Sequence, residues 1–354
     1  MNEKVLVKLD NVSKSFDDVT VIKNLSLDIY EGEFITLLGP SGCGKTTVLR
    51  IISGLETATS GKVYIDSEDV TFVDPTKREV NTIFQNFALF PKMTVSENVA
   101  FGLKMKKVPK EEIEKRVAKI IKLVKLEGLE DRYPKELSGG QQQRVAIARG
   151  IIMNPKVLLL DESLCSLDLK LKKSMQIELK KLQKKLGLTF VYVTHNQEEA
   201  LSMSDRIAII NKGIIEQLDT PTNIYMKPKT LFVADFIGEA NIIEALVESV
   251  DEEKITVKIF DDNDLVIKTS EKFNKGEKIK LIIRPENVNL SKNSNSDIKG
   301  IITDITYVGD NTKVVVNAFE KYDIKASITE ESKFKENEEV YIKFDTKYIV
   351  PLKK

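Results

Sequence analysis

The chain has 354 residues, with 54 Lys+Arg against 54 Asp+Glu, one His, two Cys and no Trp. That length predicts two domains, and 42% hydrophobic with 31% charged residues excludes a disordered chain. Zero net charge excludes a surface given over to nucleic acid or anionic lipid, and two cysteines, Cys43 and Cys165, exclude a disulfide scaffold. The charged start MNEKVLVKLD lacks a signal-peptide core, and no uncharged run nears the roughly 18 apolar residues of a membrane span. A cytosolic protein is expected, meeting a membrane only through partners.

In chain order, the first thirty residues alternate apolar and polar positions (Val5, Val7, Leu9; Leu25, Leu27, Ile29), which predicts half-buried antiparallel strands. Five short apolar runs follow: FITLL (34–38), VNTIF (80–84), VLLL (157–160), FVYVT (190–194) and IAII (207–210). Separated by helical stretches, they read as strands buried on both faces, and so as a parallel sheet of the α/β kind. Residues 86–155 read as a mainly helical insertion, with Ile113, Val117, Ile120 and Val124 on one face of a helix over 110–126. A second amphipathic helix over 171–186 carries Leu171, Met175, Leu179 and Leu182 and stops at Gly187. Near 216–241 the pattern lapses, and beyond it short strands recur (255–260, 278–286, 300–309, 312–319, 338–344), predicting a small all-β domain of the oligonucleotide-binding type. The expected division is 1–238 and 239–354.

The chemistry is concentrated in the first part. Residues 39–47, GPSGCGKTT, lie between the strand FITLL and a helical stretch, and satisfy G-x-x-x-x-G-K-[ST]. In that context the loop Gly39, Pro40, Ser41, Gly42, Cys43, Gly44, Lys45, Thr46 and Thr47 wraps a phosphate chain at a helix start, with every backbone N–H except the one that Pro40 lacks available to donate. Lys45 reaches the β and γ phosphates, and the Thr46 hydroxyl takes Mg²⁺. VLLL delivers Asp161 and Glu162 to the strand end, Asp161 as a metal carboxylate and Glu162 as general base. His195, the single histidine, follows FVYVT and is expected to bond the γ-phosphate and orient the water. In LSGGQQQR (137–144), Ser138, Gly139, Gly140 and Gln141 form a second anion site at a helix start. Two phosphate sites, one without a lysine, point to a head-to-tail dimer.

With LSGGQ beside the phosphate loop, residues 3–236 resemble the ATP-binding subunit of ABC transporters, and the tail resembles its accessory β domain. The resemblance implies a phosphate-loop ATPase fold with a helical subdomain and a tail of TOBE type, with ATP and Mg²⁺ as ligands. It also implies a homodimer docked on two membrane-spanning permease subunits, which receive solute from an extracytoplasmic binding protein, at the cytoplasmic face of the membrane. By the same likeness Phe16 stacks on adenine, Gln85 joins the Mg²⁺ site to the permease, and Asp168 crosses between subunits. VTHNQEEALSMSDRIAIINKG and IIRPENV look like the importers. DESLCSLD, with Ser163 where most sugar and ion importers carry Pro, and FIGEANII are most similar to spermidine/putrescine importers. Sugar, sulfate and iron(III) importers share most of these features. A nucleotide-gated regulatory relative outside transport would be expected to carry long coiled coils, a second cassette or a basic surface, and a catalytically silent sensor to lack Glu162 or His195.

Overall fold

The computed structural model describes residues 4–162, 169–260, 263–293, 298–329 and 334–353. Ser163, Cys165 and Asp168 lie outside the described residues. The chain divides into two compact units, 1–221 and 222–354.

In the first unit, β1 (Val5–Phe16) and β2 (Val19–Tyr30) pair antiparallel, and β4 (Ser60–Ile65) and β5 (Glu68–Asp69) extend that sheet in the order β2-β1-β4-β5. The second sheet contains β3 (Phe34–Leu38), β6 (Val80–Ile83), β7 (Val157–Asp161), β8 (Thr189–Thr194), β9 (Arg206–Asn211) and β10 (Ile214–Asp219). Its order is β10-β9-β3-β8-β7-β6, parallel except for the β9–β10 hairpin.

The five apolar runs are continuous because the parallel strands are covered on both faces. Phe34, Leu158, Leu160, Phe190 and Tyr192 join the core under the helical layer. Their neighbours Ile35, Leu37, Leu159, Val191 and Val193 join a core shared with the antiparallel sheet and α1 (Lys45–Ser53). Each large apolar side chain so buried contributes about 1.5–3 kcal/mol.

The helical layer follows β6. It holds α2 (Val95–Met105), α3 (Lys110–Leu123) and α4 (Gly139–Ile151), with α5 (Leu169–Leu186) after β7 and α6 (Gln197–Met203) after β8. On α5, Met175 and Leu179 are buried as expected. On α3 the buried stripe is Ile113, Val117 and Ile121, followed by Val124, while Ile120 is only half-buried. Each four-residue step from Ile113 to Val117 to Ile121 turns about 40° round the helix, so the buried stripe drifts toward Ile121 and leaves Ile120 on its opposite margin.

Among its described residues the second unit is all-β apart from two short α-helices and two single 3-10 turns. Sheet β13-β12-β11-β14-β20 contains β11 (Asn241–Val250), β12 (Lys254–Ile259), β13 (Asn263–Lys268), β14 (Lys278–Ile283) and β20 (Val350–Lys353). Sheet β15-β19-β16-β17-β18 contains β15 (Val288–Ser291), β16 (Ile298–Tyr307), β17 (Thr312–Ala318), β18 (Tyr322–Ile328) and β19 (Glu339–Phe344). Alternate residues of both sheets, among them Val247, Val257, Leu281, Ile302, Val316 and Ile342, form one core.

The division falls before residue 238 because α7 (Pro221–Met226) and α8 (Leu231–Phe236) are tied to this β domain. Ala234 packs with Ile282 and Leu352. The buried Arg284 guanidinium donates to the carbonyls of Tyr225, Ala234 and Glu239. The two short apolar stretches at 224–226 and 231–237 give no such indication by themselves, since those partners lie 45 to 59 residues away.

Candidate active site

Because β3, β6, β7 and β8 run parallel, their carboxyl ends open on one edge of the sheet, where ligands of α/β proteins bind. The Gly39–Gly44 loop leaves β3, Gln85 follows β6, Asp161 and Glu162 end β7, and His195 follows β8.

The loop needs its glycines. A Cβ on Gly39 would stand 2.1 Å from the Ile210 carbonyl oxygen, and Gly44 turns into α1 at φ +103° with Ile22 Cδ1 2.4 Å from where a Cβ would be. Gly44 caps α1 without any side-chain hydrogen bond, and no acidic residue occupies the first turn. The start of α4, by contrast, is closed by its own capping box. The bare α1 terminus, carrying the positive end of the helix dipole, suits a phosphate. Lys45 is buried, its Nζ donating to the carbonyls of Gly39 and Pro40 at 2.8 Å each. Cys43 is also buried, which pushes its thiol pKa up.

Thr46 Oγ1 donates to Asp161 Oδ1 at 3.2 Å. Burial first, then the neighbouring Glu162 charge, raises the Asp161 carboxyl above the usual aspartate range, against the Thr46 bond that lowers it. Two hard oxygens side by side fit Mg²⁺, which takes one or two protein ligands and completes its shell with water and phosphate. Among the described residues no cluster of three or more His, Cys, Asp or Glu could hold a metal by itself.

Glu162 is held between His195, expected beside it, and Gln85, expected toward the metal. Gln85 Nε2 donates to its Oε2 at 3.4 Å, and His195 Nδ1 lies 3.0 Å from its Oε1. Glu162 sits at φ +44°, in the left-handed region, and its N–H is anchored to Val193 O at 3.0 Å. Such strained backbone concentrates at functional positions. The carboxylate thus has both oxygens directed toward the open edge.

Ser138 and Gln141 bond each other, Ser138 N–H to Gln141 Oε1 at 2.8 Å and Gln141 N–H to Ser138 Oγ at 3.4 Å. Ser138 and Gly139 are exposed and Gly140 is buried. Among the described residues no hydrogen bond joins this run to the phosphate loop. Phe16 presents a 43% exposed ring at the end of β1, with Lys14 Nζ 4.7 Å from its centroid.

The sequence reading missed the brace behind Gln85. Phe87 and Ala88 sit at φ +59° and +45°, and the α4 residue Arg149 donates to both carbonyls at 2.8 and 2.7 Å. Buried Asn98 of α2 fastens the next turn, bonding Phe90 N–H and the carbonyls of Phe90, Met93 and Thr94. The available signal was a lone arginine inside the apolar run VAIARGII. Hydrogen bonds from a charged donor contribute about 1.5–3 kcal/mol each. Arg149→Met is therefore expected to speed amide exchange over residues 84–90 by about tenfold or more, with the rest of the domain protected as before. Unchanged exchange there would remove Arg149 from the support of the Gln85 loop.

Residues 22–164 match the family described as ABC transporter, and residues 281–352 the TOBE domain. The chain is 54% identical over 308 residues to the spermidine/putrescine import ATP-binding protein PotA of Vibrio vulnificus, covering 86% of this chain and 81% of that protein. It is 50% identical over 312 residues to the PotA of Clostridioides difficile, with 88% of each covered. Among solved structures, a dimeric ATP-binding cassette, MJ0796, in a post-hydrolysis state bound to ADP and Pi aligns with TM-score 0.55 at 38% identity, over 61% of this chain and 99% of that one. The cbiO1 protein of Clostridium perfringens, part of the ABC transporter complex cbiONQ, aligns with TM-score 0.60 at 29% identity, over 63% and 91%.

Proposed function

The chain belongs to the ATP-binding proteins of the ABC transporter family, and from that membership we propose that it hydrolyses ATP to energise spermidine and putrescine import. The observation that carries this reading is the 54% identity over 308 residues to a polyamine-import ATP-binding protein, with the phosphate loop, Asp161, Glu162 and His195 all at one sheet edge.

In this reading Lys45 and the bare start of α1 hold the β and γ phosphates, with Phe16 against the adenine. Thr46, Asp161 and Gln85 are the residues that would hold Mg²⁺, which would supply positive charge against the phosphates. Glu162 accepts the proton of the attacking water, and His195 and Gln85 keep that carboxylate aimed. Ser138, Gly139, Gly140, Gln141 and Asp168 face the nucleotide of the partner protomer, so that a homodimer closes over two ATP molecules. The dimeric state of the MJ0796 cassette supports that arrangement. Closure moves the helical layer and the Gln85 loop as one body, which two membrane-spanning permease subunits would sense. No described helix is long and apolar enough to cross a membrane. Attachment to the cytoplasmic face of the membrane then runs through the permease, with solute handed over by an extracytoplasmic binding protein.

The test is ATPase activity of the chain reconstituted with its permease in liposomes. Spermidine- or putrescine-loaded binding protein is expected to raise turnover severalfold, and maltose- or iron-loaded ones to leave it unchanged. Stimulation by a sugar or iron receptor alone would overturn the polyamine assignment and leave the ATPase standing.

A further inference from the structure

Directly beneath His195 lies a carboxylate that the mechanism above does not use. Glu199, on α6, is fully buried. One of its oxygens, Oε2, accepts from the Tyr192 hydroxyl at 2.5 Å and from Thr194 Oγ1 at 2.6 Å. Lys172 Nζ of α5 lies 2.7 Å from the other oxygen. Thr194 Oγ1 also accepts the Asn196 N–H at 3.0 Å, and Asn196 Oδ1 accepts the Glu199 N–H at 3.1 Å. The residues on both sides of His195 are therefore tied to this one acid, while the imidazole itself is half exposed and reaches Glu162 Oε1.

Taking a carboxylate wholly out of water is costly, and a buried ion pair is frequently no more stable than well-packed apolar residues. Stability alone is a poor reason for an acid at this place. Geometry is a better one, because an imidazole on an exposed loop has to be held to a fraction of an ångström to be of use.

We propose that Glu199 is a positioning residue for hydrolysis. It fixes the Thr194–Asn196 turn so that His195 meets Glu162, and through Lys172 it joins that turn to the first turns of α5. The proposal rests on the ATPase reading above.

His195 is the single histidine of the chain, so its imidazole gives one signal in protein labelled with ¹³C-histidine and reports this site without assignment. Glu199→Gln keeps the shape but removes the charge that Lys172 and the two hydroxyls bind. It is expected to shift or split the His195 signal and to lower kcat by about tenfold, with KM for ATP within about twofold of wild type. Glu198→Gln, one residue away on the exposed face, is the control, with both readouts expected at wild-type values. Should Glu199→Gln not fold, Thr194→Val removes the hydroxyl that links the acid to Asn196 and is expected to give the same two changes.

An unmoved His195 signal in a folded variant would overturn the proposal, whether or not kcat falls. So would a normal kcat. Wild-type protein without any ATPase activity would overturn the functional reading and this proposal together. Normal wild-type turnover beside an unaltered variant overturns this proposal alone.

Discussion

Glu162→Gln is expected to lower ATP turnover by about 10³-fold while leaving ATP affinity within a few-fold of wild type. The replacement is isosteric, and Oε2 is replaced by an amide nitrogen or retained as the amide oxygen facing Gln85, so one acceptor survives for either Gln85 or His195. Lys45, proposed to face the phosphates, and Thr46, proposed to face Mg²⁺, are untouched, because the bonds of both run to other residues. Only the proton acceptor is removed. Binding without hydrolysis is expected to accumulate a dimer with ATP between its protomers, seen as a doubling of mass in size-exclusion chromatography with ATP and its loss without. Normal turnover would place the base elsewhere, and a fall in affinity matching the fall in turnover would give Glu162 a binding role instead. Chelating the divalent cation is expected to stop hydrolysis by wild-type protein as well, through Thr46 and Asp161 rather than through Glu162.

The candidate site at the sheet edge was legible in the sequence for a simple reason. Strands covered on both faces must be apolar throughout, so FITLL, VLLL and FVYVT announce themselves, and any polar residue next after them stands at the ligand edge. Lys45, Asp161, Glu162 and His195 are all close in sequence to such a run. The residues that brace the site were not legible, because each works through a distant partner. Arg149 holds Phe87 from 62 residues away, and Lys172 pairs with Glu199 across 27 residues. A charge inside an apolar helix shows that a partner exists, but only the fold identifies it.

The same logic explains the unit boundary. Residues 222–238 are rich in apolar side chains, but Lys227, Pro228 and Lys229 cut them into two stretches too short to show a period, and their helices are held by Ile282, Leu352 and Arg284, which come later in the chain. Strands β13 and β18 were likewise not foreseen, since DLVIK and DIKAS are half polar and take their extended form from their neighbours β12 and β17. Asp168, expected at the subunit crossing, lies outside the described residues.

Lys45→Ala is expected to weaken ATP binding by about 10²–10³-fold, that is by about 3–4 kcal/mol. The ammonium is buried, and its two present acceptors are the carbonyls of the loop that would enclose the phosphates. Removing it takes away the positive charge facing the β and γ phosphates and leaves Gly39 and Pro40 carbonyls without their donor. Lys45→Arg is not expected to rescue, because a wider guanidinium must enter a space closed by those carbonyls and by Cys43 Sγ at 3.8 Å. Titration with a fluorescent ATP analogue measures the loss, and affinity near wild type would sink the assignment of this loop to phosphate. The order of events gives a further check. Binding precedes the chemistry proposed for Glu162, so the double variant Lys45→Ala/Glu162→Gln is expected to lose the ATP-dependent dimer that Glu162→Gln alone is expected to accumulate. A double variant that still dimerised with ATP would mean that Lys45 acts after nucleotide capture.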